Sequence, residues 1–503
     1  MRVRGLLCFC CAAMLWLGTP AIANAATDYR MAGFDGEGSE RRWEENAFFT
    51  RMEARTGVQF TFEQAANADA WQKAKDAMFA TGDLPDVLFK AQLSLREQLA
   101  CAQSGQLIDL KPLLKDNAPH LWALLEAHPD WLAAITLPSG QIVALPDIQE
   151  LPAENAMWIN RTWLDTLGLA MPEDWASFAK VLQAFRTGDP NQNGRADEVP
   201  LSFLGPWDLK FLAHAFGLVA NDYNVYADAQ GTVHFMPAEE GYLNLLRSLN
   251  SLYAQGFLDR NGFYTADTLR KQTDSKAAPV YGVFFGPNPL TLLPYETASQ
   301  YVLLPPLTYE GSRVYRELTG PVAGGAFAIT SACADPVALL QWVDVLYSED
   351  GAAEAMAGIA GTDYTADASG AWHYTTSAEN AAEMLQNLSV YDTGLMPWRF
   401  PQTFYAQYDD AQLATLQTQL TELHALTVRP FPLCTLSAAQ LDALAPLQAA
   451  LGRYVDESLA RFTLGEWNPD DPASVQAYRE GLDANGQAAM VALWQEILNS
   501  LTK

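Results

Sequence analysis

Two hydrophobic periods alternate along the first part of the chain. Residues 28–34 read as a strand. Residues 40–56 set Trp43, Phe48 and Met52 on one side of a helical repeat, so an amphipathic helix is expected there. Residues 58–63 switch to the apolar–polar alternation of a half-buried strand, 71–80 return to a helical pattern, and 86–89 form a short apolar run. This strand–helix–strand order predicts a mostly parallel sheet covered by helices. The second half is richer in helix. Ala338, Leu339, Trp342, Val343 and Leu346 keep helical spacing, as do Leu441, Leu444, Leu447, Leu451 and Tyr454 after Ser437. Both stripes read as packing faces. No internal repeat and no long low-complexity linker breaks the pattern.

The N-terminus has a different character. Arg2 and Arg4 precede an apolar run over 5–17, and small residues lead to Ala23-Asn24-Ala25-Ala26. That is the layout of a secretory signal peptide over 1–26. No later apolar stretch approaches the ~20 residues a membrane span needs. An exported, soluble chain of 503 − 26 = 477 residues is expected, periplasmic or extracellular at the outer face of the cytoplasmic membrane. Cys8, Cys10 and Cys11 lie inside the apolar run, and none follows a small residue as the cysteine of a lipoprotein signal does. Cys101, Cys333 and Cys434 are too few for a disulfide framework. Formal charge is −28, and without Arg2 and Arg4 it is −28 − 2 = −30. So negative a field excludes nucleic acid and anionic membrane surfaces as partners. A monomer is expected.

Several strings stand in a telling order. Thr81-Gly82-Asp83-Leu84-Pro85-Asp86-Val87 is followed by Gly105-Gln106-Leu107-Ile108-Asp109-Leu110 and Gly140-Gln141-Ile142-Val143-Ala144-Leu145-Pro146. Next come Trp158-Ile159-Asn160-Arg161-Thr162-Trp163-Leu164, Leu167-Gly168-Leu169, Pro172 and Trp175. Gly324-Gly325-Ala326-Phe327-Ala328-Ile329 precedes Pro336 and Trp342, and Phe462-Thr463-Leu464-Gly465-Glu466 precedes Tyr478 and Gly481-Leu482. In this order they resemble the extracellular solute-binding proteins of carbohydrate ABC transporters, the group that includes maltose- and alginate-oligosaccharide-binding proteins and larger lipoprotein-like members. The resemblance covers nearly all of the chain past residue 26, and departs from those larger members in the missing lipoprotein cysteine.

The resemblance implies an α/β, two-lobed periplasmic-binding-protein fold with a hinge, an interlobe cleft and a helix-rich C-terminal part. Residues 27–150 and 317–370 are expected to form one lobe, and 151–316 and 371–503 the other. Crossings are expected near 146–156 and 305–321, where Pro305-Pro306 cannot continue a helix. The implied function is capture of an oligosaccharide by hinge closure for the permease subunits of an ABC importer, without catalysis.

The sharpest chemical signal is Asp189-Pro190-Asn191-Gln192-Asn193-Gly194-Arg195-Ala196-Asp197-Glu198. Side-chain oxygens recur at loop positions one, three, five and nine, with glycine at six and a free carbonyl at seven, which is the oxygen spacing of an EF-hand loop. Pro200 stands where the twelfth-position glutamate belongs, and Glu198 is placed to substitute for it. Similarity to alginate-binding relatives, whose compact loop binds calcium, carries Asp189, Asn191, Asn193, the Arg195 carbonyl, Asp197 and Glu198 over as ligands of a structural Ca2+.

Candidate ligand contacts are aromatics without helical context and polar groups just past strand ends, where open α/β sheets bind ligands. They are Trp207, Trp398, Arg399, Asp35, Glu37, Lys90, Asp147 and Phe285. Lys90 and Arg399 are the only cations near these loops, so a neutral or weakly charged sugar is expected. There is no P-loop, no G-x-S-x-G and no H-E-x-x-H. A glycosidase needs only two carboxylates, so a secreted carbohydrate-active enzyme stays compatible with the residues, as does a sugar sensor on the same fold.

Overall fold

The computed structural model describes residues 27–264 and 279–501, apart from 38, 319, 369–370, 377, 392–394, 402 and 405–410. The expected signal segment, 1–26, lies outside the described residues. Two separate sheets organise the chain. The larger has six strands in the spatial order Arg399–Phe400, Leu145–Gln149, Val322–Ile329, Val87–Phe89, Thr27–Phe34 and Val58–Ala65. All run parallel except Val322–Ile329. Side-chain alternation splits the first strand between two cores: Tyr29 and Met31 enter one, Ala32 and Phe34 the other. Both faces are therefore covered, as a parallel sheet requires. The smaller sheet orders Tyr301–Leu303, Ala156–Asn160, Tyr281–Gly286 and Val199–Leu201.

The amphipathic stretch 40–56 is shorter as an α-helix than expected. Trp43–Glu45 is a single 3-10 turn, and the helix proper is Ala47–Thr56. Asn46 causes the break. Its carbonyl oxygen caps Phe48 N at 2.9 Å, and its amide donates to Ser389 O at 2.9 Å. The stripe after Ser437 forms one long helix, Ala438–Leu464, opened by a capping box between Ser437 and Gln440. Leu444 and Leu451 are buried in the second lobe's core, with Leu441, Leu447 and Tyr454 along its edge.

The chain passes between the sheets through 150–155 and again through 317–321, and a third time after Phe400. The first lobe's main core draws on residues 29–148 and 322–404, and the second lobe's on 156–315 and 416–498. The second stretch of the first lobe thus runs past 370. Trp372, Val390, Met396, Trp398 and Phe400 complete its core, and Arg399–Phe400 is an edge strand of its sheet. The third passage carries the chain into the helix Ala411–His424 of the second lobe.

Candidate functional site

Strands Thr27–Phe34, Val87–Phe89 and Leu145–Gln149 end on the same edge of the first sheet, where antiparallel Val322–Ile329 begins. The loop after Phe89 is held there by the bulge at Gly325. Ala91 N donates to Ala326 O at 2.9 Å and Leu93 N to Gly325 O at 3.0 Å. Gly325 has φ +92°, and a Cβ there would meet Leu93 O at 2.2 Å, so only glycine fits. This loop delivers Lys90 to Asp35. The ammonium donates to Asp35 Oδ1 at 2.9 Å, to Asp35 O at 3.1 Å and to Val390 O at 3.3 Å. Trp43 Nε1 donates to Asp35 Oδ1 at 3.0 Å, Ser39 Oγ donates to Oδ2 at 2.5 Å, and Arg41 Nη1 lies 3.3 Å from Oδ2. Asp35 and Lys90 are buried together, beside a cavity of about 400 Å³ lined by Gly36, Ser39, Arg41, Trp43 and Gln64. Arg41 was not among the expected contacts, because it falls within the stretch read as a helix and not just past a strand end.

Four of the expected contacts have other employment. Trp398 is fully buried in the first core, packed on Tyr391 and Phe400 with ring centroids 5.1 and 5.2 Å away. Phe285 is buried in the second core, on a strand residue paired with Met157. Glu37 accepts from Ala68 N at 2.8 Å, so it ties down the start of the helix Ala68–Thr81. Asp147 lies inside its strand and takes a hydrogen bond from the Gln149 amide at 2.8 Å. Arg399, half-buried, reaches Glu150 at the first crossing, Nε to Oε1 at 2.6 Å.

Trp207 is the expected aromatic that remains open, at 37 % exposure. It opens the short helix Pro206–Lys210 just past the strand Val199–Leu201. Its ring packs edge-on against Phe211, centroids 4.9 Å apart, and its N–H points at Asp222 Oδ1, 3.5 Å away. Asp222 pairs with Arg316, whose guanidinium lies over Phe211 at 5.0 Å. Arg316 is buried with Nε lacking a partner. Beside this pair is a cavity of about 320 Å³ between the lobes. Leu95 bounds it on one side, Asp222, Phe431 and Trp494 on the other, and Arg316 and Gly320 at the crossing. Asp222 and Arg316 were not expected, since nothing local marks a pair 94 residues apart in sequence.

The loop 189–198 folds as a nest of Asx turns. Asp189 Oδ1 accepts from Asn193 N and Oδ2 from Gly194 N, both at 3.2 Å. Asn193 Oδ1 accepts from Arg195 N at 2.8 Å, and the Asn191 and Asn193 amides both turn to Asp197. Glu198 is buried, its Oε1 has no partner, and burial with Asp197 and Asp189 nearby raises its pKa. Among the described residues no group of three or more His, Cys, Asp and Glu side chains is arranged to hold a metal. An oxygen set completed by asparagines and a carbonyl is of a different kind, and the orphaned Glu198 oxygen beside two further acids is chemistry that a hard cation would satisfy.

Cys101, Cys333 and Cys434 are all free, and no helix among the described residues is long and apolar enough to cross a membrane. A fructooligosaccharide ABC transporter substrate-binding protein of Streptococcus pneumoniae, FusA, is 33 % identical over 230 residues, 44 % of this chain and 42 % of FusA's length. An EF-hand mutant of FusA bound to fructo-nystose superposes with a TM-score of 0.73 at 24 % identity, over 95 % of this chain and 99 % of that one. An extracellular solute-binding protein from Bifidobacterium longum subsp. infantis superposes with a TM-score of 0.78 at 20 % identity, over 96 % and 99 %. The model of the family described as "Bacterial extracellular solute-binding protein" matches residues 35–353. With the two lobes, the three crossings and the cavity between them, that match places the chain in the family of bacterial extracellular solute-binding proteins.

Proposed function

We propose that the protein is exported and, as a monomer, captures an oligosaccharide between its lobes for the permease of an ABC importer. The observation that carries this reading is the open face of Trp207 beside the Asp222–Arg316 pair, which itself lines the interlobe cavity. An aromatic face with an acid and a guanidinium alongside suits the apolar ring face and hydroxyls of a sugar. Asp35, Lys90 and Arg41 are the polar groups that the strand-end edge of the first lobe would present, with Arg399 and Glu150 at the rim. Residues 27–149 with 322–404 move as one lobe, and 156–315 with 411–501 as the other. The FusA similarity supports a fructooligosaccharide as the first probe. Loop 189–198 binds Ca2+ through Asp189, Asn191, Asn193, the Arg195 carbonyl, Asp197 and Glu198, which fixes the segment leading to Trp207.

Titration calorimetry with kestose and longer fructans tests the reading. Trp207→Ala should weaken the affinity by tenfold or more, as truncating a central aromatic costs ~2 kcal/mol. The sugar should be recovered intact, as from a binder rather than a glycosidase. Unchanged affinity in Trp207→Ala would move the site elsewhere, and turnover of the sugar would overturn the binding role.

A further inference from the structure

The first crossing carries a buried acid for which ligand capture has no evident use. Glu154 is 2 % exposed. Its Oε2 accepts from Leu318 N of the second crossing at 2.8 Å, whereas its Oε1 has no hydrogen-bond partner. The atom facing Oε1 is Nδ1 of His424, 4.0 Å away, which is also buried and partnerless. His424 ends the helix by which the third passage enters the second lobe. The first two connections between the lobes therefore meet at this carboxyl, with His424 of the second lobe alongside. Two orphaned polar atoms facing each other, one on a buried acid and one on a histidine 32 % accessible, carry a desolvation cost that one shared proton would remove. The present separation exceeds a hydrogen bond.

The surroundings say which way that proton leans. The second crossing faces Glu154 with Glu317, which is engaged by Arg429 at 2.6 Å, and with Arg316, which is engaged by Asp222. Tyr315 donates its hydroxyl to Asn155 O at 2.6 Å, and the Asn155 amide donates to Asp208 at 2.9 Å. Burial foremost, and the charge of Glu317, push the Glu154 pKa up to about 8, against the Leu318 hydrogen bond and Arg316. The lobes are bridged in this state: Arg96 meets Asp442 at 2.6 Å, and Arg429 meets Asp130 at 2.9 Å. Separating them would let water reach the crossings, and a hydrated Glu154 would lose its proton.

We propose that Glu154 and His424 share one proton at the hinge, held on Glu154 while the lobes are together and released as they part. The hinge is then proton-sensitive, favouring the closed form at lower pH and the open form at higher pH. This rests on the reading that the lobes move about these crossings. Small-angle scattering of the full chain without ligand, from pH 5.5 to 9, tests it. The wild type should expand as pH rises from the ordinary carboxylate range, the expansion being complete by about pH 8, where the buried carboxyl itself ionises. Glu154→Gln, which cannot ionise, should stay compact throughout. His424→Phe, which removes the acceptor for the proton, should move the midpoint to lower pH, and it keeps the test decisive where Glu154→Gln does not fold. A radius of gyration indifferent to pH, the same profile in Glu154→Gln, or an unmoved midpoint in His424→Phe overturns the proposal. A parallel series with kestose separates the two readings. Compaction by sugar without any pH effect sinks the proton switch alone. No change with either sugar or pH sinks the hinge motion and the switch together.

Discussion

A buried ammonium and carboxylate are cheaper to keep than to part, because removing one leaves the other desolvated without a counter-charge. At Asp35 the arrangement is lopsided, with one acid serving Lys90 at 2.9 Å and Arg41 at 3.3 Å. Losing the two partners should therefore have unequal effects. Lys90→Met leaves Asp35 facing Arg41, whereas Asp35→Ala takes the shared carboxylate from both cations. Asp35→Ala should sit at the upper end of the ~3–5 kcal/mol range for broken buried pairs, and Lys90→Met clearly below it. Urea unfolding midpoints of the two variants check the order. Equal losses would show that Arg41 does not compensate. Asp35 and Lys90 were legible as polar residues past strand ends, but their attachment to each other was not, because it depends on the turn of the Lys90 loop at Gly325. Trp398 shows the opposite failure: it lies between prolines with no period, and only strand pairing with a segment some 250 residues earlier puts it in the core.

At the scale of elements, the strands and most helices follow from local pattern, since apolar spacing marks the face or faces that each one buries. The helix Ala68–Thr81 begins at Asn67, whose side chain accepts from Ala70 N, and ends at Gly82 with φ +77°. What local pattern overstates is the stretch 40–56, where Asn46 has partners beyond its own helix. Loop 189–198 is the element whose chemistry was most legible, because its spacing is itself the signal. Burial first, and then the charges of Asp197 and Asp189, raise the pKa of Glu198, and a cation would balance that cluster. Added Ca2+ should raise the melting temperature and a chelator lower it, by on the order of a few degrees, since a ligand at a hundredfold over its Kd contributes ~2.7 kcal/mol. Asp189→Ala should abolish the response. A melting temperature indifferent to calcium, chelator and substitution alike would reduce the loop to a hydrogen-bonded turn.

For the whole molecule, the first two passages between lobes were readable from their prolines, and the third was not. It follows a strand that joins the first sheet from the far end of the sequence, and local period carries no record of such pairing. Among the described residues, the direct contacts between the lobes differ in kind. Arg96 and Asp442 form an exposed pair, their side chains 52 % and 69 % accessible. Such pairs contribute ~0–1 kcal/mol and are screened by salt. Arg429 is different. It donates to Glu317 of the second crossing from both Nε and Nη2, and to Asp130 of the first lobe from Nη1. Glu317 is only 10 % accessible, so removing the guanidinium strands a largely buried carboxylate at the hinge. That penalty is ~1–3 kcal/mol, and opening the lobes relieves it by admitting water. Arg429→Met should therefore shift the ligand-free protein toward the open form at pH 7, seen as a larger radius of gyration, and weaken sugar affinity by roughly five- to a hundredfold, the same penalty converted. Arg96→Met should change neither measurably. A substitution at Arg96 as costly as that at Arg429, or an Arg429 variant indistinguishable from wild type, would mean that the lobes are held by the crossings themselves and not by this clamp.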